Sequence, residues 1–383
     1  MTSRVLFVDH AGVLGGAELS LLDVVAAFGA RAEVLLLADG PFRELLQSRG
    51  IAVSVESLGA LRHVRKETHL PSPAALTDVL RLARRVARHA RRRELLYANS
   101  QKAFVVSAAA GVLARRPVVW HLRDILAPPH FSASNVRAAV TLANFRAARV
   151  IANSRASAEA FIESGGKAEL VRVVHNGIDP APFDAATGAD AAQVRADLGI
   201  ASDAFVVSLF GRFHPWKGQQ VLLQALAALP GVHALFVGAP LFGEEAFESA
   251  LHAQAAKPGL AARAHFLGFR RDVPTLMRAS DAVVHASVYP EPFGRVIVEG
   301  MLARRPVVAT SGGGVQEIAT DGETALLVPP NDAAALATAI AALRADPERA
   351  RAIAERGAAH ARAHFSVAAM VRGVEEAIAG LTG

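Results

Sequence analysis

Short apolar runs alternate with helix-like stretches along almost the whole chain, and this alternation is what most limits the folds open to it. Runs at 4–9, 33–38, 51–56, 94–99, 117–122 and 149–154 read as buried strands, because they are short, apolar and bounded by polar or helical stretches. The pattern resumes at 204–211, 232–238, 263–268, 281–287, 306–310 and 325–329. Strands separated by helices pair in parallel, since a parallel neighbour is reached only through a long crossover. Between the two series lies VHNGIDPAPFD (174–184), whose Asn-Gly, Asp-Pro and Ala-Pro steps interrupt helix and ladder alike. The chain therefore reads as α/β, with two doubly wound, Rossmann-like parallel-sheet domains facing across a cleft. The expected boundaries are 1–175 and 176–365, with a last helix at 366–381.

Composition agrees with this division, because 383 residues, 52% of them hydrophobic, exceed what one core usually holds. There is no cysteine, which excludes disulfides and thiolate metal sites. The net charge of +6 comes mainly from arginine, so an anionic ligand or surface is an expected partner. The apolar run before Asp9 is too short for a secretion signal. The longest apolar stretch, 103–114, falls short of the roughly 20 residues that cross a bilayer. A cytoplasmic protein is expected.

In open α/β sheets ligands bind beyond the carboxyl ends of the strands, so chemistry belongs in the strand-to-helix loops. After the first strand comes HAGVLGGAE, where Gly12, Gly15 and Gly16 precede a helix and suit close approach of a phosphate or sugar. The spacing is not GxGxxG, and no strong acidic residue closes the second strand, which argues against a dinucleotide. The second half opens with LFGRFHPWKGQQ: Arg212 ends a strand and Lys217 precedes a helix. A guanidinium and an ammonium fixed in this way match a diphosphate. In VYPEPFGRVIVEGM, Glu291 and Glu299 flank a helix start near Gly294. Amides from Phe293 through Gly294 and Arg295 to Val296 would cradle phosphate there. Carboxylates repel phosphate, so Glu291 and Glu299 are aimed at hydroxyls. A nucleotide sugar has this layout, with Glu291 on the hexose and Glu299 on the ribose.

These residues resemble the retaining glycosyltransferases of family 4, which have the GT-B fold. The resemblance runs from GGAE (15–18) through VWHLRD (119–124), HNGID (175–179) and GRFHPWKG (211–218) to EPFGRVIVEG and GGGVQEI. It implies that Arg212 and Lys217 bind the donor diphosphate, that Gly15 and Gly16 approach donor phosphate or sugar, and that Glu291 and Glu299 hold sugar and ribose. It implies further that Gly238, Phe269 and Arg270 face the base, and that His121 lies beside the anomeric carbon, acting through side chain or backbone. The last helix would return to pack on the first domain. The implied reaction is same-face transfer, in which the leaving diphosphate takes the acceptor's proton. No cofactor or metal is expected, since the chain has no Asp-x-Asp.

A sugar-nucleotide epimerase of the same fold and a non-catalytic nucleotide-sugar-binding subunit are the alternatives. A glycosidase is discounted, because its two carboxylates must flank one glycosidic bond rather than a phosphate-binding helix end. The acceptor is unidentified; Arg62, Arg65, Lys66, Arg123 and Asp124 are its candidate contacts, drawn from two loops of the first domain. The segment 76–94 reads as a basic amphipathic crossover helix, with peripheral contact to an anionic membrane face as a second role. Nucleic acid is not an expected partner, because no aromatic residues interleave with that charge. His360 and His364 share a helix face without a third ligand and read as surface.

Overall fold

The computed structural model describes residues 3–59, 73–128, 131–241 and 243–381, the side chains of 73–76 excepted. It divides into two compact units, Met1–Gly177 with Val367–Gly383, and Ile178–Ser366. Each is a parallel sheet with helices on both faces.

In the first unit the order along the chain is β1 (Val5–Asp9), α1 (Gly16–Phe28), β2 (Ala32–Leu36), α2 (Pro41–Ser48), β3 (Val53–Val55) and α3 (Pro73–Ala90). Then follow β4 (Leu95–Ala98), α4 (Gln101–Ala114), β5 (Val118–Leu122), α5 (Ala133–Arg146), β6 (Arg149–Ala152), α6 (Arg155–Glu163) and β7 (Val171–Val173). The seven strands lie in the order β3-β2-β1-β4-β5-β6-β7. Six of these are the predicted runs. The seventh, β7, escaped the sequence reading because its three residues, VRV, are split by Arg172 and carry no buried residue, so no apolar run marks them. Within β1, Leu6 and Val8 face one core with Phe104 and Trp120, while Val5 and Phe7 face another with Leu21 and Phe42. Burial on both faces explains why these strands read as unbroken apolar runs.

The second unit begins with α7 (Ala181–Ala185), α8 (Gly188–Asp197), β8 (Phe205–Phe210), α9 (Gln219–Ala227), β9 (Val232–Val237), α10 (Glu245–Ala255) and β10 (Ala264–Phe266). It continues with α11 (Val273–Arg278), β11 (Ala282–His285), α12 (Arg295–Leu302), β12 (Val307–Thr310), α13 (Val315–Ile318), β13 (Leu326–Val328), α14 (Ala333–Ala345) and α15 (Pro347–His364). Its six strands, all at predicted places, are ordered β10-β9-β8-β11-β12-β13.

The last helix, α16 (Val367–Ile378), belongs to the first unit. Met370, Val374 and Ile378 enter the core that holds Val25 and Val174. Glu375 accepts from Arg31 at 2.9 Å, Arg149 donates to the Ala377 carbonyl at 3.1 Å, and the Gly177 N–H meets Met370 Sδ at 3.1 Å. The helix is part of the unit's core as well as its surface.

Both sheets share one topological property. In each, the chain leaves its first strand towards one side and later returns to pair on the other: β1 lies between β2 and β4, and β8 between β9 and β11. Loops on either side of such a strand diverge and leave a crevice at its carboxyl end.

Candidate functional site

In the second unit the crevice lies between the loops after β8 and β11, and the two sequence-predicted groups meet there. Lys217 closes a single 3-10 turn, Pro215–Lys217, and Gly218 follows it as the cap of α9. A Cβ on Gly218 would stand 1.9 Å from the Ala286 carbonyl oxygen, so only glycine lets the two loops come this close. Lys217 Nζ consequently reaches Glu291 and donates to its Oε1. Ser287 Oγ donates to the same oxygen at 2.5 Å, and His285 Nε2 lies 3.6 Å from it. Thr310 Oγ1, at the end of β12, donates to the Ser287 carbonyl at 2.7 Å. Burial would raise the pKa of Glu291, but the charge of Lys217 and the His285 ring hold it well below the usual carboxylate range. Glu291 is a fixed carboxylate.

The loop after β12 seals the back of this arrangement. The Gly314 N–H donates to the Glu291 carbonyl at 2.8 Å, and a Cβ there would stand 2.6 Å from the Pro292 carbonyl. Three residues past Glu291, Gly294 caps α12 at φ 100, a conformation that other residues reach only with strain. Arg295 and Val296 carry the first amides of α12, which no carbonyl of that helix can take. Phe293 beside them is buried in the core with Ile297 and Met301. One turn on, the Glu299 carboxylate accepts from Arg295 Nε at 2.8 Å. Arg212 is half-buried at the end of β8, its carbonyl taken by Gln219 Nε2 at 2.9 Å.

Other candidates of this unit stand further along the sheet. The Gly238 amide donates to Gly268 at 2.9 Å, and its Cα abuts the Gly211 carbonyl, tying together the ends of β8, β9 and β10. Phe269 is 58% exposed, and Arg270 clasps Asp272 with bonds of 2.8 and 2.6 Å. These two residues follow the edge strand β10.

The first unit places a different chemistry at its own crevice, between β1 and β4. Asp9, fully buried, accepts from the His10 and Ala11 amides at 2.6 and 3.3 Å and from Asn99 Nδ2 at 2.5 Å. Asn99 Oδ1 accepts from Arg123 Nε at 2.9 Å, and Arg123 Nη1 donates to Asn176 Oδ1 at 2.6 Å. Gly15 caps α1 and Gly16 opens it, with Glu18 folded back over Gly15. Burial, with Asp9 nearby, pushes the Glu18 carboxyl up to about 7. His121, in β5, is completely buried. Its Nδ1 pairs with the Tyr97 hydroxyl while Nε2 has no hydrogen-bond partner among the described residues. Burial, reinforced by the Arg123 charge, lowers the pKa of His121 well below its ordinary value and keeps the ring neutral.

Arg123 is 8% exposed and anchored within the network, whereas Asp124 beside it is half-buried. Arg62, Arg65 and Lys66 lie outside the described residues. Sequence reasoning did not single out Asp9, Asn99 and Glu18 as members of this network. The available signal was one polar residue at the end of each of two apolar runs, VLFVD and LLYAN.

Comparison with known proteins is consistent across both units. Residues 15–177 match the family described as Glycosyl transferase 4-like domain, and 190–360 match Glycosyl transferases group 1. Anabaena HepE, solved in complex with UDP and glucose, is 43% identical, with TM-score 0.90 over 99% of this chain and 100% of that one. The lipopolysaccharide core biosynthesis glycosyltransferase LpsE of Rhizobium meliloti is 37% identical over 52% of this chain and 55% of its own. D-inositol 3-phosphate glycosyltransferase of Mycolicibacterium gilvum is 37% identical over 55% and 47%. The chain thus spans about half the length of these two curated relatives.

Proposed function

The chain belongs to the GT-B glycosyltransferases of family 4, and from that premise we propose that it transfers a hexose from a nucleoside diphosphate sugar to an acceptor hydroxyl with retention of anomeric configuration. The observation that carries this is the joining of Lys217, Ser287 and Glu291 beside the amino end of α12. A fixed ammonium and the leading amides of α12 suit a diphosphate. A carboxylate held ionised beside them suits the hydroxyls of the attached sugar. UDP-glucose, bound by HepE, is the first donor to test.

In this reading Arg212 and Lys217 neutralise the diphosphate as it leaves, Glu291 grips the hexose and Glu299 the ribose. The departing phosphate oxygen takes the acceptor's proton on the face where the new bond forms, so no nucleophilic side chain and no metal is needed. His121 is neutral and offers Nε2 or its main chain towards the sugar. The acceptor is a glycan, a lipid-linked sugar or a small molecule.

Peripheral membrane contact through α3 is part of the proposal. Arg81 and Arg85 on it and Arg93 just past its end pair with Asp78, Glu56 and Glu33. Arg84, Arg88, Arg91 and Arg92 are exposed and would face anionic lipid. Among the described residues no helix is long and apolar enough to cross a membrane.

The test is donor binding by calorimetry followed by product analysis. Lys217→Ala should weaken UDP itself, whereas Glu291→Ala should spare UDP and lose the advantage of UDP-glucose over UDP. The reverse pattern would exchange the two roles. Sugar-nucleotide interconversion without an acceptor would replace transfer by epimerisation, and binding without turnover of any acceptor would leave a binding subunit. Activity lost to a chelator and restored by a divalent ion would overturn metal independence.

A further inference from the structure

Next to Lys217 and Glu291 stand two aromatic side chains that neither the diphosphate nor the hexose hydroxyls account for. Trp216 immediately precedes Lys217, and Tyr289 lies two residues before Glu291. Their rings meet edge to face at 6.0 Å, and His214 meets Trp216 in the same manner at 5.1 Å. The Val288 N–H donates to the Trp216 carbonyl at 2.8 Å, so the two loops carry their rings as one piece. His214 is braced from behind, its Nδ1 accepting from the Trp216 amide at 3.1 Å and its Nε2 lying 3.3 Å from Glu244.

Tyr289 is nevertheless 40% exposed, unlike the other tyrosine, Tyr97, which is fully buried. Large aromatic surface is normally placed in a core, and an exposed ring held by a backbone tie and braced by its neighbours is a preformed contact surface. Sugar sites need two kinds of surface. Hydroxyls require charged or polar groups, which Lys217, Ser287 and Glu291 supply, whereas the C–H face of a pyranose requires an apolar wall.

We infer that Trp216 and Tyr289 form a stacking wall for the C–H face of a pyranose ring, either the donor's hexose or a sugar of the acceptor. This deepens the glycosyltransferase reading and rests on it. The wall acts on affinity and on the choice of sugar rather than on the departing diphosphate.

Tryptophan emission offers a direct test, because the chain has two tryptophans and the other, Trp120, is fully buried in the first unit. UDP, UDP-glucose and free glucose added to the UDP-bound protein are the probes, read by emission and calorimetry. In the parent, a sugar-bearing probe should shift the emission beyond the change caused by UDP, and Trp216→Phe should abolish that excess.

Tyr289→Ala is a surface change that leaves the fold intact, and it should weaken the sugar-dependent step about three- to tenfold, as expected for loss of one aromatic contact. Tyr289→Phe should restore it. If the ratio of UDP-glucose to UDP affinity falls, the ring is the donor's; if only glucose binding to the UDP-bound protein falls, it is the acceptor's. Unchanged binding of both probes in Trp216→Ala and Tyr289→Ala would overturn the wall while leaving the donor site standing. Failure of the parent to bind UDP or UDP-glucose would remove both readings.

Discussion

The two units use the same crevice in opposite ways. At the carboxyl end of β8 the second unit sets an ammonium against a carboxylate, beside the amino end of α12. At the carboxyl end of β1 the first unit sets Asp9 and Glu18 beside the amino end of α1, with Asn99 and Arg123 completing the network. Each helix end favours negative charge. In the first unit the buried Asp9 carboxylate lies near that end, and Glu18, its pKa raised by burial and by Asp9, is folded over Gly15. In the second the neighbouring charges are paired, Lys217 with Glu291 and Arg295 with Glu299. A shared topology therefore opens a crevice at the same place in each sheet, while the side chains set there differ between the two.

The largest effect should come from breaking the ion pair of the second unit. Lys217→Ala leaves Glu291 buried without its counter-charge and should cost about 3–5 kcal/mol of that unit's stability, read by chemical denaturation. Lys217→Met combined with Glu291→Gln should recover most of the loss. If the double variant is no better than the single one, the pair is not what holds these loops.

Next in size is the network of the first unit. Asn99→Ala removes the bridge between Asp9 and Arg123 and should cost about 1–3 kcal/mol. UDP affinity should stay unchanged, because the nucleotide is assigned to the other unit. A fall in UDP affinity would dissolve the division of roles.

A pH titration sharpens the contrast further. Folded Glu18 keeps its proton up to about pH 7, above its ordinary value of 4.5. Between those values the folded unit binds more protons than the unfolded chain, so its stability should fall as pH rises, by an amount on the order of 1–3 kcal/mol. Glu18→Gln should flatten that slope. Glu291 works in the other direction: its depressed pKa contributes stability that is lost only as pH falls below the ordinary carboxylate range.

The smallest expected effect is at Glu299. Its pairing with Arg295 is an i,i+4 contact on α12, worth about 0.3–0.5 kcal/mol to stability. Glu299→Gln should therefore leave melting nearly unchanged while weakening UDP binding, if the carboxylate holds the ribose. Equal affinity in the variant would remove that role.

What was legible in the sequence follows from the range of the interactions. Of the thirteen strands among the described residues, all but β7 announced themselves as short apolar runs in the sequence. Lys217 and Glu291 were legible because each lies within a few residues of a glycine that ends a turn before a helix. Their mutual contact was not, for it joins positions 74 residues apart. Asp9 and Asn99, 90 residues apart, become a pair only once β1 and β4 are neighbours. Strand order is a property of the assembled sheet, and no local pattern encodes it. Trp216 and Tyr289 likewise become neighbours only once the loops that carry them are joined.

One consequence of α16 concerns how the molecule is made. Because residues 367–378 supply part of the core around Val25 and Val174, that core is complete only once the whole second unit has been translated. The carboxy-terminal lobe, ending at Ser366, has all its pieces sooner. Lobes assemble as cooperative entities, so the first unit joins a segment from beyond the second unit to its own core before it is complete.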